Sequence, residues 1–329
     1  MPQIRVVPDT NIWRYIVDAD AVEEVRKAAR ASDVSITACP AVVYECLRVP
    51  DRPLRRRLAK AITRTSWSRL MPEAFLEAEA LRGEIALLRP EWIAQRADLT
   101  IWTQNRGDWM GGFWHRVRTK TDMMAEITSN LGYQDLTRAR AESRSARQSA
   151  RELGHTTASL RLDTASAWFL EDVPGWNGDP FEAWRGYSEQ HWWQNLVLRK
   201  SVTALDWLEP WLNLDKIRND RESWISFWTR EASERRLVRE WIRWAMTEVQ
   251  ALHKVTNGTP VDNQIATYLV DCDLFVTSDR GFVNCIDLLR NHAPEPLAQT
   301  SLSPGGRRAV DHLLELFNSA NVRRLEESP

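Results

Sequence analysis

The chain has 329 residues, 43% hydrophobic and 27% charged, with a formal net charge of -1. That length holds two domains, or one domain carrying a large insertion, and the composition is that of an ordinary globular protein. The near-neutral charge excludes a wholesale basic nucleic-acid binder, so a polyanion would have to be gripped by local patches.

No apolar run approaches the roughly 18 residues needed to span a bilayer. The sequence enters a strand at once, leaving no room for a signal peptide. Cys39, Cys46, Cys272 and Cys285 lack CxxC spacing and any histidine at metal-ligand distance, so they read as reduced, mostly buried thiols. The expected compartment is cytoplasmic. Tryptophan is the outlier: 13 of the 17 fall between Trp92 and Trp228, which marks the middle of the chain as built differently from its ends.

In chain order, the β-branched run Ile4–Val7 predicts strand one, and a helix opens at Thr10–Asn11. A second helix opens at Asp20. Asp33–Thr37 alternates and predicts strand two, followed by a short helix over Ala41–Arg48 that carries Glu45. Pro50-Asp51-Arg52-Pro53 breaks that helix, and Leu54–Ser66 follows with Arg55, Arg56, Arg57 and Lys60. Glu73–Leu88 is amphipathic. Further on, residues 138–161 predict a polar helical stretch, and Pro174–Pro180 a loop. Asn219–Asp220 caps what reads as one long helix to about Val255, with Trp224/Trp228 and Trp241/Trp244 at helical spacing. Asn257–Pro260 ends it. Val261–Asp271 predicts a short helix, Leu274–Thr277 a buried strand, Gly281–Arg290 a helix, 294–303 a last strand, and Pro304–Ala320 a C-terminal helix.

Alternating strands and helices at both ends predict an α/β fold with a parallel sheet. Residues 1–90 and 238–329 together make one domain, and 91–237 form a helical, Trp-rich insertion.

Asp9 and Asp279 each follow a strand, which in a parallel sheet places both at the same edge. Asp262 opens the helix leading into the strand before Asp279, and Glu45 follows strand two. Four carboxylates from four segments suit a hard divalent cation such as Mg2+ or Mn2+. Without one they repel each other. Taken singly, each acid is as well explained by helix-start chemistry or by solvation. Asp271 and Asp273 nearby read as a helix end and a turn.

Val7-Pro8-Asp9-Thr10-Asn11, Glu45 within Val42–Leu47, Asp262-Asn263-Gln264-Ile265-Ala266, and Val276-Thr277-Ser278-Asp279 resemble, in order, the four acidic motifs of PIN-domain ribonucleases. The resemblance covers the two ends of the chain and none of the middle. It implies a PIN-like sheet flanked by helices. It also implies Mg2+- or Mn2+-dependent hydrolysis of RNA by Asp9, Glu45, Asp262 and Asp279, leaving a 5′-phosphate and a 3′-hydroxyl. Thr10, Asn11, Thr277 and Ser278 would orient those acids. Phe282 stands at the looser of the two positions for the aromatic that follows the last acid.

Arg55, Arg56, Arg57 and Lys60 are the candidate contacts to RNA phosphates. For the tryptophans, core packing is the first reading; a base-stacking platform at Trp102, Trp109 and Trp114, beside Arg106, Arg116 and Arg118, is the second. The six histidines show no ligand spacing. The rival functions are a non-catalytic RNA- or protein-binding module and a DNA-directed nuclease. A phosphotransferase with Asp9 as nucleophile would need an acid where Asn11 stands. An antitoxin-like or other regulatory protein and a second copy of the chain are the partners left open, and no membrane partner is expected.

Overall fold

The computed structural model describes residues 3–129, 181–199, 202–252 and 259–326, with isolated positions between 141 and 162. The expected loop Pro174–Pro180 and most of the expected helix over 138–161 lie outside the described residues.

Five strands form one all-parallel sheet: β1 (Ile4–Pro8), β2 (Val34–Ala38), β3 (Ser68–Arg69), β4 (Leu274–Thr277) and β5 (Gln299–Leu302), in the order β3-β2-β1-β4-β5. Val6 stands opposite Ile36 on one side and Leu274 on the other. The order reverses between β1 and β4. In open α/β sheets ligands bind at the carboxyl ends of the strands flanking such a reversal. Asp9 and Asp279 follow those two strands.

The helices beside the sheet are α1 (Thr10–Asp18), α2 (Val22–Ala31), α3 (Pro40–Leu47), α4 (Arg52–Ile62) and α5 (Glu73–Leu88). Pro40 starts α3, where its fixed φ suits a first helical position. Asp51 caps α4 by accepting from Leu54 N at 2.8 Å.

Short helices follow: α6 (Thr100–Gly107), α7 (Phe113–Thr119), α8 (Ala183–Trp192), α9 (Val202–Leu208), α10 (Leu214–Asn219) and α11 (Arg221–Ser226). The chain then returns through α12 (Val238–Ala251), α13 (Thr259–Ala266), α14 (Arg280–Arg290) and α15 (Arg307–Glu326). Among the described residues from 91 to 237 no strand joins the sheet; Ile93 and Leu212 make an isolated antiparallel bridge. No helix among the described residues is long and apolar enough to cross a membrane. The four cysteines are free and buried.

The expected single helix from Asp220 to about Val255 is in fact two. Asp220 does cap, accepting from Ser223 N at 3.1 Å, but α11 widens into a π-helical turn over Phe227–Glu231 and stops at Ala232. Glu84 of α5, fully buried, accepts from Ser233 N at 2.7 Å and pairs with Arg236, which fixes the break. A carboxylate buried this deeply needs such donors, and helical periodicity in the sequence could not reveal a partner some 150 positions away.

The tryptophans pack as core. Trp92, Trp114, Trp184, Trp224 and Trp228 are each at most 1% exposed, in one cluster continuous with the core under the sheet. Trp224 touches Trp92, Trp193, Phe227 and Trp228, and its indole N–H donates to Glu189 at 3.0 Å. Trp224→Ala should therefore cost roughly 3–5 kcal/mol in urea unfolding. A loss near zero would mean that this cluster does not support the fold.

Candidate active site

Asp9 leaves β1 in an extended conformation (φ -70, ψ 167), and its backbone N–H donates to Val276 O at 2.9 Å, extending the β1–β4 ladder by one bond. Its side chain is 6% exposed and accepts three hydrogen bonds: Thr10 N at 2.7 Å, Asn11 Nδ2 at 2.7 Å and Thr277 Oγ1 at 2.6 Å. Burial raises its carboxyl above the usual range; Thr277, Thr10 and Asn11 pull it back, and the charge of Asp279 adds to the rise.

Thr10, Asn11 and Thr277 bond the acids directly, and Ser278 takes part only through its backbone N–H to Asn11. The Thr277 hydroxyl gives its proton to Asp9 and accepts from Asp279 N at 3.0 Å and from Asn11 Nδ2 at 3.1 Å, so all its bonding capacity is used. Asn11 Oδ1 accepts from Ser278 N at 2.9 Å, tying the start of α1 to the end of β4. The Thr10 hydroxyl donates to Glu45 Oε2.

Glu45, half-buried on α3, has its carboxyl raised by burial and by Asp9 and Asp279, and lowered by Thr10 and Arg48. Asp279 caps α14 through Oδ1, which accepts from Phe282 N at 3.0 Å, and is otherwise exposed. Asp262, in the first turn of α13, is pushed up to about 7 by burial and then by Asp9, Glu45 and Asp279 in turn.

The four acids thus act on one another electrostatically, as residues of one crevice must. Among the described residues, however, no three His, Cys, Asp or Glu side chains stand in ligand geometry around one point. The two observations describe different lengths. Charge acts over several ångströms in a buried crevice, whereas ligation of a hard cation needs oxygens within about 2–2.6 Å of it. Three of the carboxylates, Asp9, Glu45 and Asp279, also spend oxygens on internal hydrogen bonds. The donor set nevertheless fits a hard divalent cation: it is all carboxylate oxygen, and excess negative charge already makes it costly to ionise.

Asp271 and Asp273 are the helix end and turn expected. Asp271 pairs with Arg239 at 2.7 Å, and Asp273 accepts from Arg5 N at 2.7 Å.

The basic patch on α4 is narrower than the sequence suggests. Arg55 is 9% exposed, donating to Val49 O at 2.7 Å and to Asp122 at 2.8 Å. Arg57 donates to Val17 O. Arg55 is an internal tie, because helical spacing puts it on the inward face with Leu58, Ala59 and Ile62, whereas Arg57 stays exposed. Arg56 also bonds Asp122, at 3.0 Å through Nε, but its side chain stays 60% exposed, and Lys60 is exposed. The stacking platform loses Trp114, which is buried and donates to Trp109 O at 2.8 Å.

Pattern reading missed a second group of charges: Glu73 and Glu77 on α5, Glu240 and Arg243 on α12, and the neighbouring His191. Their signal is Glu at i and i+4, and Glu and Arg at i and i+3, on helix faces that are otherwise apolar.

No family model, curated protein or solved structure matches the chain.

The geometry separates two variants by sign. In metal-free protein Asp262 binds more protons folded than unfolded between its ordinary 3.8 and about 7. Stability should therefore fall as pH rises through that window. Asp262→Asn should make the fall shallower, since Asp9, Glu45, Glu73 and Glu240 are raised too, and should melt higher than wild type at pH 7.5 in EDTA, by roughly 1–2 kcal/mol, less than the full linkage value because the side chain is partly exposed. Asp9→Asn should do the reverse, losing about 1–3 kcal/mol, because an amide –NH2 would meet donors that now point at a carboxylate. Thermal melts across pH check both, and equal shifts in the two variants would sink this account.

Proposed function

We propose that the chain is a metal-dependent endoribonuclease with a PIN-like fold, in which Asp9, Glu45, Asp262 and Asp279 hold Mg2+ or Mn2+. The observation that carries this reading is the meeting of four acids from four separate elements at the reversal point of the sheet, each electrostatically linked to the others. Such an ion, when bound, would activate a water and neutralise charge on the phosphodiester. The chain's own part is positional. Asp9 is held by three donors in one orientation, Glu45 is held through Thr10, and Asp279 is set by its cap. Asp262, pushed up to about 7, is only partly ionised near neutral pH, and nearby positive charge would favour its carboxylate. On this reading residues 1–90 and 238–329 form the nuclease domain, and 91–237 are inserted into it.

The test is hydrolysis of labelled RNA with Mn2+ and with EDTA. Wild type should cut only with metal and leave ends accepted by a 5′-phosphate-dependent exonuclease, while Asp279→Asn and Asp262→Asn should not cut. Mn2+ should also raise the wild-type melting midpoint more than those of the variants. Thr277→Val, which takes the hydroxyl from Asp9, should lower activity roughly 10–100-fold. A parallel single-stranded DNA substrate separates the RNA reading from a DNA-directed one. Undiminished cleavage by both acid variants would remove the site.

The narrowed basic patch makes a separate expectation for binding. Arg56→Gln and Lys60→Gln should each reduce the log–log salt slope of RNA binding by about 0.7. Arg55→Gln should leave the slope alone and lower the melting midpoint. An unchanged slope in the first two would assign the whole helix to structure.

A further inference from the structure

A cavity of about 360 Å³ opens between α3, α5, α8, α12 and α13. Tyr44 and Gln264 line it, one residue from Glu45 and two from Asp262. At about 100° of helix rotation per residue, these neighbours point to different faces of α3 and α13. The cavity and the acid centre therefore open on different faces of the same two helices, within about one helix diameter of each other, roughly 10 Å. A neighbouring nucleotide of an extended strand can bridge that distance.

The walls combine flat aromatic surface with both donors and acceptors. Tyr44 and Trp109 meet edge to face at 6.3 Å, and Trp192 lines the other side. Arg243 is spent on Glu77 through Nη2 alone; its buried Nε has no partner. Trp192 is 2% exposed, and its indole N–H lowers the nearby Glu240 carboxyl without completing a hydrogen bond. Glu240 stands behind the wall, close enough to act on the charge of Arg243, and is 2% exposed with both oxygens unpartnered. Glu73 faces the cavity, its carboxyl raised by burial, opposed by Arg243, reinforced by Glu77 and pulled back by the side chain of Gln264, which a bound base would displace.

Three carboxyl groups around one guanidinium make this a poor home for phosphate. Glu73 and Glu77, the two that line the cavity, ask instead for a planar ligand rich in N–H donors that also offers acceptors to the guanidinium. Among the four RNA bases guanine meets that description, with N1–H and the N2 amino group on one edge and O6 and N7 on another. Aromatic walls suit any base, so the selection rests on the polar groups.

We propose that this cavity receives an unpaired guanine adjacent to the scissile phosphate, with Glu73 accepting from N1–H and N2 and Arg243 donating to the O6/N7 edge. The proposal rests on the nuclease reading for its place on the strand, but the base pocket itself needs none of the four acids.

The experiment is equilibrium dialysis of the full chain in EDTA against guanosine, inosine, adenosine, cytidine and uridine, followed by mapping of Mn2+-dependent cuts on RNA. Guanosine should bind about tenfold or more tighter than the others, and inosine, lacking the N2 amino group, should lose most of that advantage. Glu73→Gln should abolish the preference. Gln264→Trp, at an exposed position, should block binding even if Glu73→Gln fails to fold. Asp262→Asn should bind guanosine like wild type. Cuts should cluster beside guanines in wild type.

Equal binding of all five nucleosides, or cuts indifferent to base, would overturn the proposal and leave the nuclease reading standing. A preference for methylguanidine over guanosine would overturn it in favour of an organic-cation site. Guanosine binding with no RNA cleavage at all would overturn the nuclease reading, and the strand-positioning role with it.

Discussion

The hydrogen bonds around Asp9 are the joint on which the sheet and the candidate site both depend. Thr277 and Asp9 lie 268 positions apart, yet the hydroxyl of one meets the carboxylate of the other at 2.6 Å. Asn11 and Ser278 repeat the connection beside it. A carboxylate buried without donors would cost several kcal/mol; here three donors offset that cost, and the same three fix which way the oxygens point. Folding and site assembly are thus one event at this position. Strand β4 cannot dock on β1 in register without completing the shell around Asp9.

For β4 to arrive there, the long excursion between α5 and α12 has to close on itself. It does so with ion pairs rather than with apolar contact alone. Arg239 and Arg243 on α12, with Arg236 in the turn just before it, recur at helical spacing and reach Asp271, Glu77 and Glu84. Asn263 of α13 then donates to Thr247 of α12 at 2.9 Å, which sets the helix that carries Asp262. Buried ion pairs contribute little net stability compared with apolar replacements, and their attested use is to specify one arrangement over others. In this chain they define where α12 lies against α5, and so where the fourth acid lies against the other three.

The strands and the placement of the acids were legible in the sequence because both are local. A β-branched run ending in Asp and followed by an amphipathic pattern announces a strand edge by itself, and Ile4–Val7 and Leu274–Thr277 each do so. The roles of Thr10, Asn11 and Thr277 were readable for the same reason, since they stand within two residues of an acid. What escaped depends on distant partners. Arg55 looks solvent-facing until Asp122 arrives to bind it, and the helix after Asp220 looks continuous until Glu84 takes Ser233 N–H. β3 escaped for a different reason: two residues show no alternation. The charges of Glu77 and Glu240 face the interior of helices whose apolar pattern hides them, and no local rule says that Arg243 will be there.

The choice between helix-start chemistry and ligation, posed residue by residue, dissolves in the folded chain. Asp9 precedes α1, Asp262 lies in the first turn of α13, and Asp279 caps α14. Each sits where unsatisfied backbone N–H groups and the positive end of a helix favour an anion. Asp9 and Asp279 each bring local stabilisation through a backbone N–H, which helps gather like charges in one crevice, whereas Asp262 has only the helix end. Glu45 lies in the body of a helix and lacks that support, so it leans on the Thr10 hydroxyl and the charge of Arg48. The backbone support is incomplete: burial and the neighbouring acids still hold Asp262 up at about 7. Capping helps the acids assemble, and the repulsion left among them is what the proposed cation would relieve.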